Sequence, residues 1–336
     1  MIVWENSSLS KLTTFKVGGL ARYVALCESK EDVREAIAYA TTRGLPFTVL
    51  GGGSNVLARD ENYEGVVILM RIPGIIYKEE GELVQVKAGA GVEWETLVTD
   101  CVQKGYWGIE NLAGIPGTVG AAPVQNIGAY GAELQSIFHS VEVIHAETGE
   151  MAAYDAAACE FGYRDSVFKH NKMLVICSVT LRLSKRAIPK LGYGDLAELV
   201  RSGAAMDTPE HIATNVRLVR AKKFPDLAMH GTAGSFFKNP IITQELFSAL
   251  TQKYGAMPSF PAANNGIKIP LAFILDKVLG LRGHRDAQVY LFGNQPLVLV
   301  ADSGATARDI DAFANAIAKK VFDATSISIE REVQTL

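Results

Sequence analysis

The chain has 336 residues, 48% hydrophobic and 21% charged, and its 33 Lys+Arg against 36 Asp+Glu leave a net charge of −3. That balance excludes a disordered chain and gives no electrostatic footprint for nucleic acid. At about 150 residues per domain, the length predicts two or three packed units.

No run of apolar residues exceeds five, far short of the roughly 20 that a membrane helix needs. The opening Met1-Ile2-Val3-Trp4-Glu5 has neither the basic nor the apolar region of a secretion signal, so a cytoplasmic protein is expected. Cys27, Cys101, Cys159 and Cys177 form no CxxC and read as reduced, buried thiols. The six histidines include no HxxxH pair, His284 reads as a solvated loop residue, and no metal is expected.

In chain order, residues 23–27 read as a strand. Ser29 and Asp32 then open a helix in which Val33, Ala36, Ile37 and Ala40 recur at helical spacing, and Gly44 closes it. Residues 47–50 form a strand that runs directly into Gly51-Gly52-Gly53-Ser54-Asn55, and 66–70 return as another. From 71 to 188 the pattern turns to hairpins, with strands at 83–87, 140–145 and 173–183. A helix at about 93–104 precedes residues 108–131, which hold six glycines in 24 positions. A loop of that length inside a domain is usually functional. Residues 189–224 carry Gly192-Tyr193-Gly194-Asp195 and two helices, the second opened by Thr208-Pro209-Glu210. A second α/β unit follows from 225 to 325, with a helix at 271–279, a strand at 297–300 and an amphipathic helix at 306–322.

Successive glycines at a strand end can take positive φ and converge several backbone N–H groups into a nest for an anion. Ser54 and Asn55 add side-chain donors, so a pyrophosphate is the natural guest of 51–55, with a plain turn as the alternative. No GxGxxG follows a strand and no Gly-Lys pair occurs, which excludes a P-loop and disfavours a Rossmann site. In the second loop, small residues would let a flat ring lie against backbone, and the apolar residues among the glycines predict that something covers them.

Six segments, LGGGSN (50–55), ENLAGIPGTVGAAPVQNIGAYGAEL (110–134), FGYRDSVFK (161–169), YGDL (193–196), GSFFKNP (234–240) and IEREV (329–333), span nearly the whole chain. In them the chain resembles the UDP-N-acetylenolpyruvoylglucosamine reductase (MurB) family, type I, with the Tyr-Gly-Asp-Leu loop. The resemblance implies an α+β protein with an FAD-binding PCMH-type (vanillyl-alcohol-oxidase-like) fold of two α/β subdomains, plus a C-terminal α/β substrate-binding domain. The expected division is an FAD-binding domain at 1–188, split near 71, connecting helices and the Tyr193 flap at 189–224, a substrate-binding domain at 225–325, and a C-terminal strand at 326–336 carrying Glu332.

The implied reaction is NADPH-dependent, FAD-mediated reduction of UDP-N-acetylglucosamine enolpyruvate to UDP-N-acetylmuramate for peptidoglycan, by a monomer without nucleic-acid or membrane partners. By the same resemblance Gly51, Gly52, Gly53, Ser54 and Asn55 hold the FAD pyrophosphate, while Ile115, Pro116, Gly117, Gly120, Ala121, Ala122 and Tyr130 line the flavin. The catalytic positions fall on Arg164, Ser235 and Glu332. Charge develops on the carbon bearing the substrate carboxylate, so a bidentate guanidinium at Arg164 stabilises it. A carbanion is basic enough to take a proton from the weak acid Ser235. Glu332 orients the carboxylate, or donates to it if burial and like charge raise its pKa.

From the residues alone, Arg164 would sooner be a salt-bridge partner of Asp165 or another acid, Ser235 a helix or turn cap before Phe236-Phe237, and Glu332 a solvated strand-end acid. Tyr193, Lys223, Asn239, Arg282 and Gln295 surround the sugar diphosphate by resemblance, with Asn294 as the rival of Gln295. Arg282 stands where the family pattern has lysine, and Gln334 where it has arginine. A flavin oxidase of the same fold and a catalytically silent UDP-sugar or flavin binder are the competing readings.

Overall fold

Residues 66–70 are apolar without a break, the pattern of a strand buried on both faces, and all five are buried. In the computed structural model, which describes all 336 residues, strand Tyr63–Met70 lies between Leu20–Cys27 and Phe47–Leu50 and pairs with both in parallel. Ile2–Ser8 completes this four-stranded sheet beside Leu20–Cys27. Helix Lys30–Thr41 begins at Ser29, whose hydroxyl accepts from Asp32 N, and buries Val33, Ala36, Ile37 and Ala40. Gly44 beyond it has φ +64°.

A second sheet follows in the order Met151–Tyr154, Phe138–His145, Leu174–Ser184, Leu83–Gly89, Ile75–Glu80, antiparallel throughout. Helix Trp94–Gln103 buries Trp94, Leu97, Val98, Cys101 and Val102 in one apolar core shared with both sheets. Cys27, Cys101, Cys159 and Cys177 are free and buried.

The chain divides into two compact units, Met1–Ser7 with Leu20–Gly53 and Tyr63–Ala221, and Ser8–Gly19 with Ser54–Asn62 and Lys222–Leu336. This boundary differs from the expected one in two places. Residues 189–221 are no separate connector, because Leu196 of helix Gly194–Arg201 and Ile212, Ala213 and Val216 of helix Pro209–Lys223 lie in the first unit's core. The early segments 8–19 and 54–62 belong with the second unit because Phe15, Val17 and Leu57 are part of its core.

In the second unit, Arg285–Asp286, Val289–Phe292 and Gln295–Ala301 form an antiparallel sheet. Helix Ala307–Thr325 has a capping box, with Thr306 and Asp309 bonding each other's main chain. Asp60 adds a cap from afar, accepting from Ala307 N at 2.8 Å and Arg308 N at 3.0 Å. The helix expected at 271–279 is one α-turn, Leu271–Phe273, that widens into a π-turn at Ile274–Val278. Gln334–Thr335 pairs in parallel with Val56–Leu57. His284, expected in solvent, stacks on Phe313 with ring centroids 5.9 Å apart. No helix is long and apolar enough to cross a membrane.

Candidate active site

Strand Phe47–Leu50 ends in the three glycines, yet only Gly53 has positive φ, +64°. The other two are needed for close approach. A Cβ on Gly52 would stand 2.9 Å from Gly117 Cα, and one on Gly51 would press on Thr118 Oγ1. The two glycine-rich segments therefore touch backbone to backbone, which corrects the expectation that left-handed geometry explains the whole run. Arg71 braces the turn, donating from Nη1 to the carbonyls of Gly51 at 3.1 Å and Met70 at 2.7 Å.

Residues 108–131 fold as short 3-10 turns, at Glu110–Leu112, Val119–Ala121 and Pro123–Gln125. Most of their apolar side chains, including Leu112, Ala113, Val119, Ala122, Ile127 and Tyr130, are buried in the unit's own core. The protein itself supplies most of the cover expected from a ligand, whereas Pro116 and Ala121 remain exposed and Ile115 half-buried. Two buried polar atoms here have no hydrogen-bond partner, Thr118 Oγ1 and Asn111 Oδ1. Such groups are rare and call for a ligand or water. A hydroxyl beside Gly51 and a buried acceptor behind a small-residue face, together with a cradle that a Cβ would fill, fit a cofactor with a pyrophosphate and a flat polar ring. Thr118, Asn111 and Arg71 were not singled out from the sequence, although the first two lie inside the quoted motif.

Asn111 Nδ2 also donates to the carbonyls of Tyr130 and Lys190, each at 2.8 Å. Tyr130 has φ +48° and meets the Tyr193 ring edge-on, centroids 5.7 Å apart. Burial pushes the Tyr130 phenol up to about 12, with Arg220 pulling the other way, so it stays a neutral donor.

Arg164 sits third in a tight turn closed by Gly162 N to Asp165 O at 3.0 Å and Asp165 N to Gly162 O. Its φ is +56°, a strained conformation for a bulky residue and one that clusters at functional sites. Its Nη2 donates to Gly128 O at 2.8 Å, while Asp165 pairs with His170 at 2.8 Å. Asn126, donating to Gly162 O at 3.1 Å, and Ser166, donating to Val124 O at 2.8 Å, fasten this turn to the glycine loop.

In the second unit, Ser235 is in extended backbone opposite Val298 and caps nothing. The next residue joins two neighbours. Phe236 N donates to Leu297 O and Phe236 O accepts from Glu332 N, both at 2.8 Å. Ser235 and Glu332 are thus held on adjacent strands, and Glu332 is 9% exposed, buried instead of solvated. Thr232 supports the approach to Ser235, donating to Leu299 O at 2.6 Å and accepting from Gly234 N at 3.2 Å. Asn55 Nδ2 donates to Glu332 O at 3.2 Å. Arg164 belongs to the first unit, and Ser235 and Glu332 to the second.

Of the five substrate positions, Tyr193 is 44% exposed at the head of helix Gly194–Arg201. Lys223 ends helix Pro209–Lys223, and Asn294 Nδ2 holds the preceding Lys222 carbonyl at 2.9 Å. Gln295 begins the strand Gln295–Ala301. Asn239 Oδ1 accepts from Leu271 N at 2.9 Å, and Arg282 is exposed, its Nε 3.9 Å from Asp276.

Comparison with known proteins adds the following. The FAD binding domain family matches residues 21–153, and the family described as UDP-N-acetylenolpyruvoylglucosamine reductase, C-terminal domain, matches residues 226–336. UDP-N-acetylenolpyruvoylglucosamine reductase of Amoebophilus asiaticus (strain 5a2) is 39% identical over 340 residues, covering 100% of both chains. The Escherichia coli (strain K12) protein of the same name is 38% identical over 331 residues, covering 98% of this chain and 95% of that one. The crystal structure of UDP-N-acetylenolpyruvylglucosamine reductase (MurB) from Thermus caldophilus superposes with a TM-score of 0.69 at 26% identity, over 100% of this chain and 99% of that one.

Proposed function

The chain belongs to the UDP-N-acetylenolpyruvoylglucosamine reductase family, an FAD-dependent oxidoreductase of peptidoglycan synthesis, and on that premise we propose that Arg164, Ser235 and Glu332 perform its chemistry. Bound FAD supplies the reducing electrons, which NADPH delivers. Gly51 to Asn55 with Thr118 hold the cofactor's pyrophosphate, and Ile115, Pro116, Gly117, Gly120, Ala121, Ala122 and Tyr130 line its ring.

The remaining work falls to the chain's own side chains. Arg164 binds the enolpyruvyl carboxylate through two N–H groups and stabilises the charge that grows there as the double bond is reduced. Ser235 Oγ gives its proton to the carbon bearing that carboxylate. Glu332, held one residue away across the strand pair, orients the carboxylate for both. Lys223 and Arg282 neutralise the diphosphate, Asn239 and Gln295 hydrogen-bond the sugar nucleotide, and Tyr193 covers it. Asn294 is engaged with Lys222, which favours Gln295 for the binding role. The protein acts as a cytoplasmic monomer, and light scattering at about 36.2 kDa would accord with that.

The observation that supports this reading is the pair of main-chain hydrogen bonds through Phe236, which holds the segments of Ser235 and Glu332, about a hundred positions apart in the chain, next to each other. Ser235→Ala tests it. NADPH should still bleach the flavin, while turnover with the enolpyruvyl sugar nucleotide falls by about 10²- to 10⁴-fold, the usual range for a proton donor. Equal losses in both steps would remove Ser235 from that role.

A further inference from the structure

We infer that Asn55, at the end of the glycine turn, is a positioning residue for Glu332 as well as part of the cofactor turn. The inference deepens the proposed function and rests on its placing of Glu332 in the chemistry.

The main chain of Glu332 is gripped on both sides. Its N–H donates to Phe236 O at 2.8 Å, and its carbonyl accepts from the Asn55 side-chain amide at 3.2 Å. Two residues on, Gln334 N donates to the Asn55 carbonyl at 3.0 Å. Asn55 thus brackets Glu332 with one side-chain and one main-chain bond. The regular parallel pairing begins only at Gln334 with Val56, so Glu332 lies just before the ladder. There a side-chain N–H does what the next main-chain N–H of a longer strand would do.

Because Cβ leaves Cα in a direction set by the two flanking peptide planes, fixing both planes fixes the root from which the Glu332 side chain reaches and narrows the positions open to its carboxyl. Only a residue with a short side chain and an N–H donor meets this demand. Alanine offers no donor, and aspartate offers only acceptors. Arg331 adds an anchor on the neighbouring residue, its Nη2 donating to Asn315 Oδ1 at 2.9 Å. Successive strand residues face opposite ways, so that anchor acts on Arg331, while the Asn55 bond acts on the main chain of Glu332 itself.

The test uses the holoenzyme saturated with FAD and follows the two half-reactions by rapid mixing. In Asn55→Ala, the limiting rate of flavin reoxidation by the enolpyruvyl sugar nucleotide should fall about tenfold further than the rate of NADPH reduction, since a 1 Å misplacement can cost about a hundredfold. The substrate concentration giving half that rate should change little. In a Glu332→Gln background, Asn55→Ala should add almost nothing, as expected for two residues acting through one group. Gln334→Pro, which removes the donor to the Asn55 carbonyl, should reproduce the pattern, and amide exchange of residues 332–336 should accelerate in both variants.

Equal losses in the two half-reactions, or a full additive loss on top of Glu332→Gln, would overturn the inference and leave Asn55 as a cofactor ligand alone. Were wild-type flavin not reoxidised by the sugar nucleotide at all, the proposed function would fail. The inference would then stand or fall on whether Asn55→Ala speeds exchange at 332–336.

Discussion

In the first unit, Gly52 lies so close to Gly117 that a methyl group between them would not fit. In the second, Ser235 and Glu332 take their places mainly from main-chain bonds through Phe236, with the Asn55 side chain as the one residue-specific hold among those described. One region depends on residue type and the other on strand register. Change of a single atom should therefore disturb the glycine cradle, whereas the Ser235–Glu332 pair should respond to whatever shifts its strands.

The largest effect should come from the charge that joins helix Lys30–Thr41 to the second sheet of the first unit. Glu142 accepts from Lys87 at 2.6 Å, Lys30 at 2.9 Å and Ser178 at 2.8 Å. Burial alone would raise its carboxyl, but the bonds from Lys87, Lys30 and Ser178 outweigh that and hold it at about 2, against 4.5 for the ordinary group. A depressed folded value adds stability that is full above the unfolded value and lost as pH falls through the folded one. After allowance for partial exposure this amounts to about 2–3 kcal/mol. Glu142→Gln should lower the urea midpoint at pH 7, and the gap to wild type should close between about pH 4.5 and 2. A constant gap would mean that side-chain charge does not hold this unit.

Gly52→Ala should cost about 2 kcal/mol in FAD affinity, near thirtyfold, because the obstacle is backbone. Gly44→Ala is its control, with φ +64° and nothing within 4 Å of the added Cβ. There about 1 kcal/mol of left-handed strain should appear in stability, with FAD titration unchanged. If the two behave alike, close approach is not what the cradle requires.

Thr232→Val tests the strand region, since it leaves Leu299 O and Gly234 N without their partner; about 1.5 kcal/mol by urea unfolding is expected. Asp60→Ala should have the smallest effect, about 1 kcal/mol, through loss of the remote cap on helix Ala307–Thr325. A larger loss would show that the second unit leans on side chains as heavily as the first.

Legibility followed the same divide. Helix Lys30–Thr41 could be read because its cap, apolar spacing and closing glycine are local, and strand 66–70 because its burial is continuous. Strand Ile2–Ser8 escaped notice, being an edge strand with no buried residue. Helix Gln244–Tyr254 was missed despite the cap at Thr243, since it buries only Leu250 fully. At the candidate site, motif resemblance supplied Arg164, Ser235 and Glu332. The positive φ of Arg164 was beyond its reach because a bulky residue carries no signal for that conformation in its turn, and the burial of Glu332 because its neighbours are distant in sequence. Thr118 was in plain view as a letter, but its orphaned hydroxyl exists only once Gly51 is packed against it.

The pairing of residues 55–57 with 332–335 also bears on how the polypeptide matures. Asn55 and Glu332 are separated by 277 positions, so on a ribosome elongating at about 5–20 residues per second the earlier segment waits roughly 14 to 55 s for its mate. Throughout that interval strand Val56–Leu57 lacks the partner it has in the folded protein, Gln334–Thr335. A chain halted before that point would hold every residue of the first unit but lack the last strand of the second, so completion of the second unit comes last.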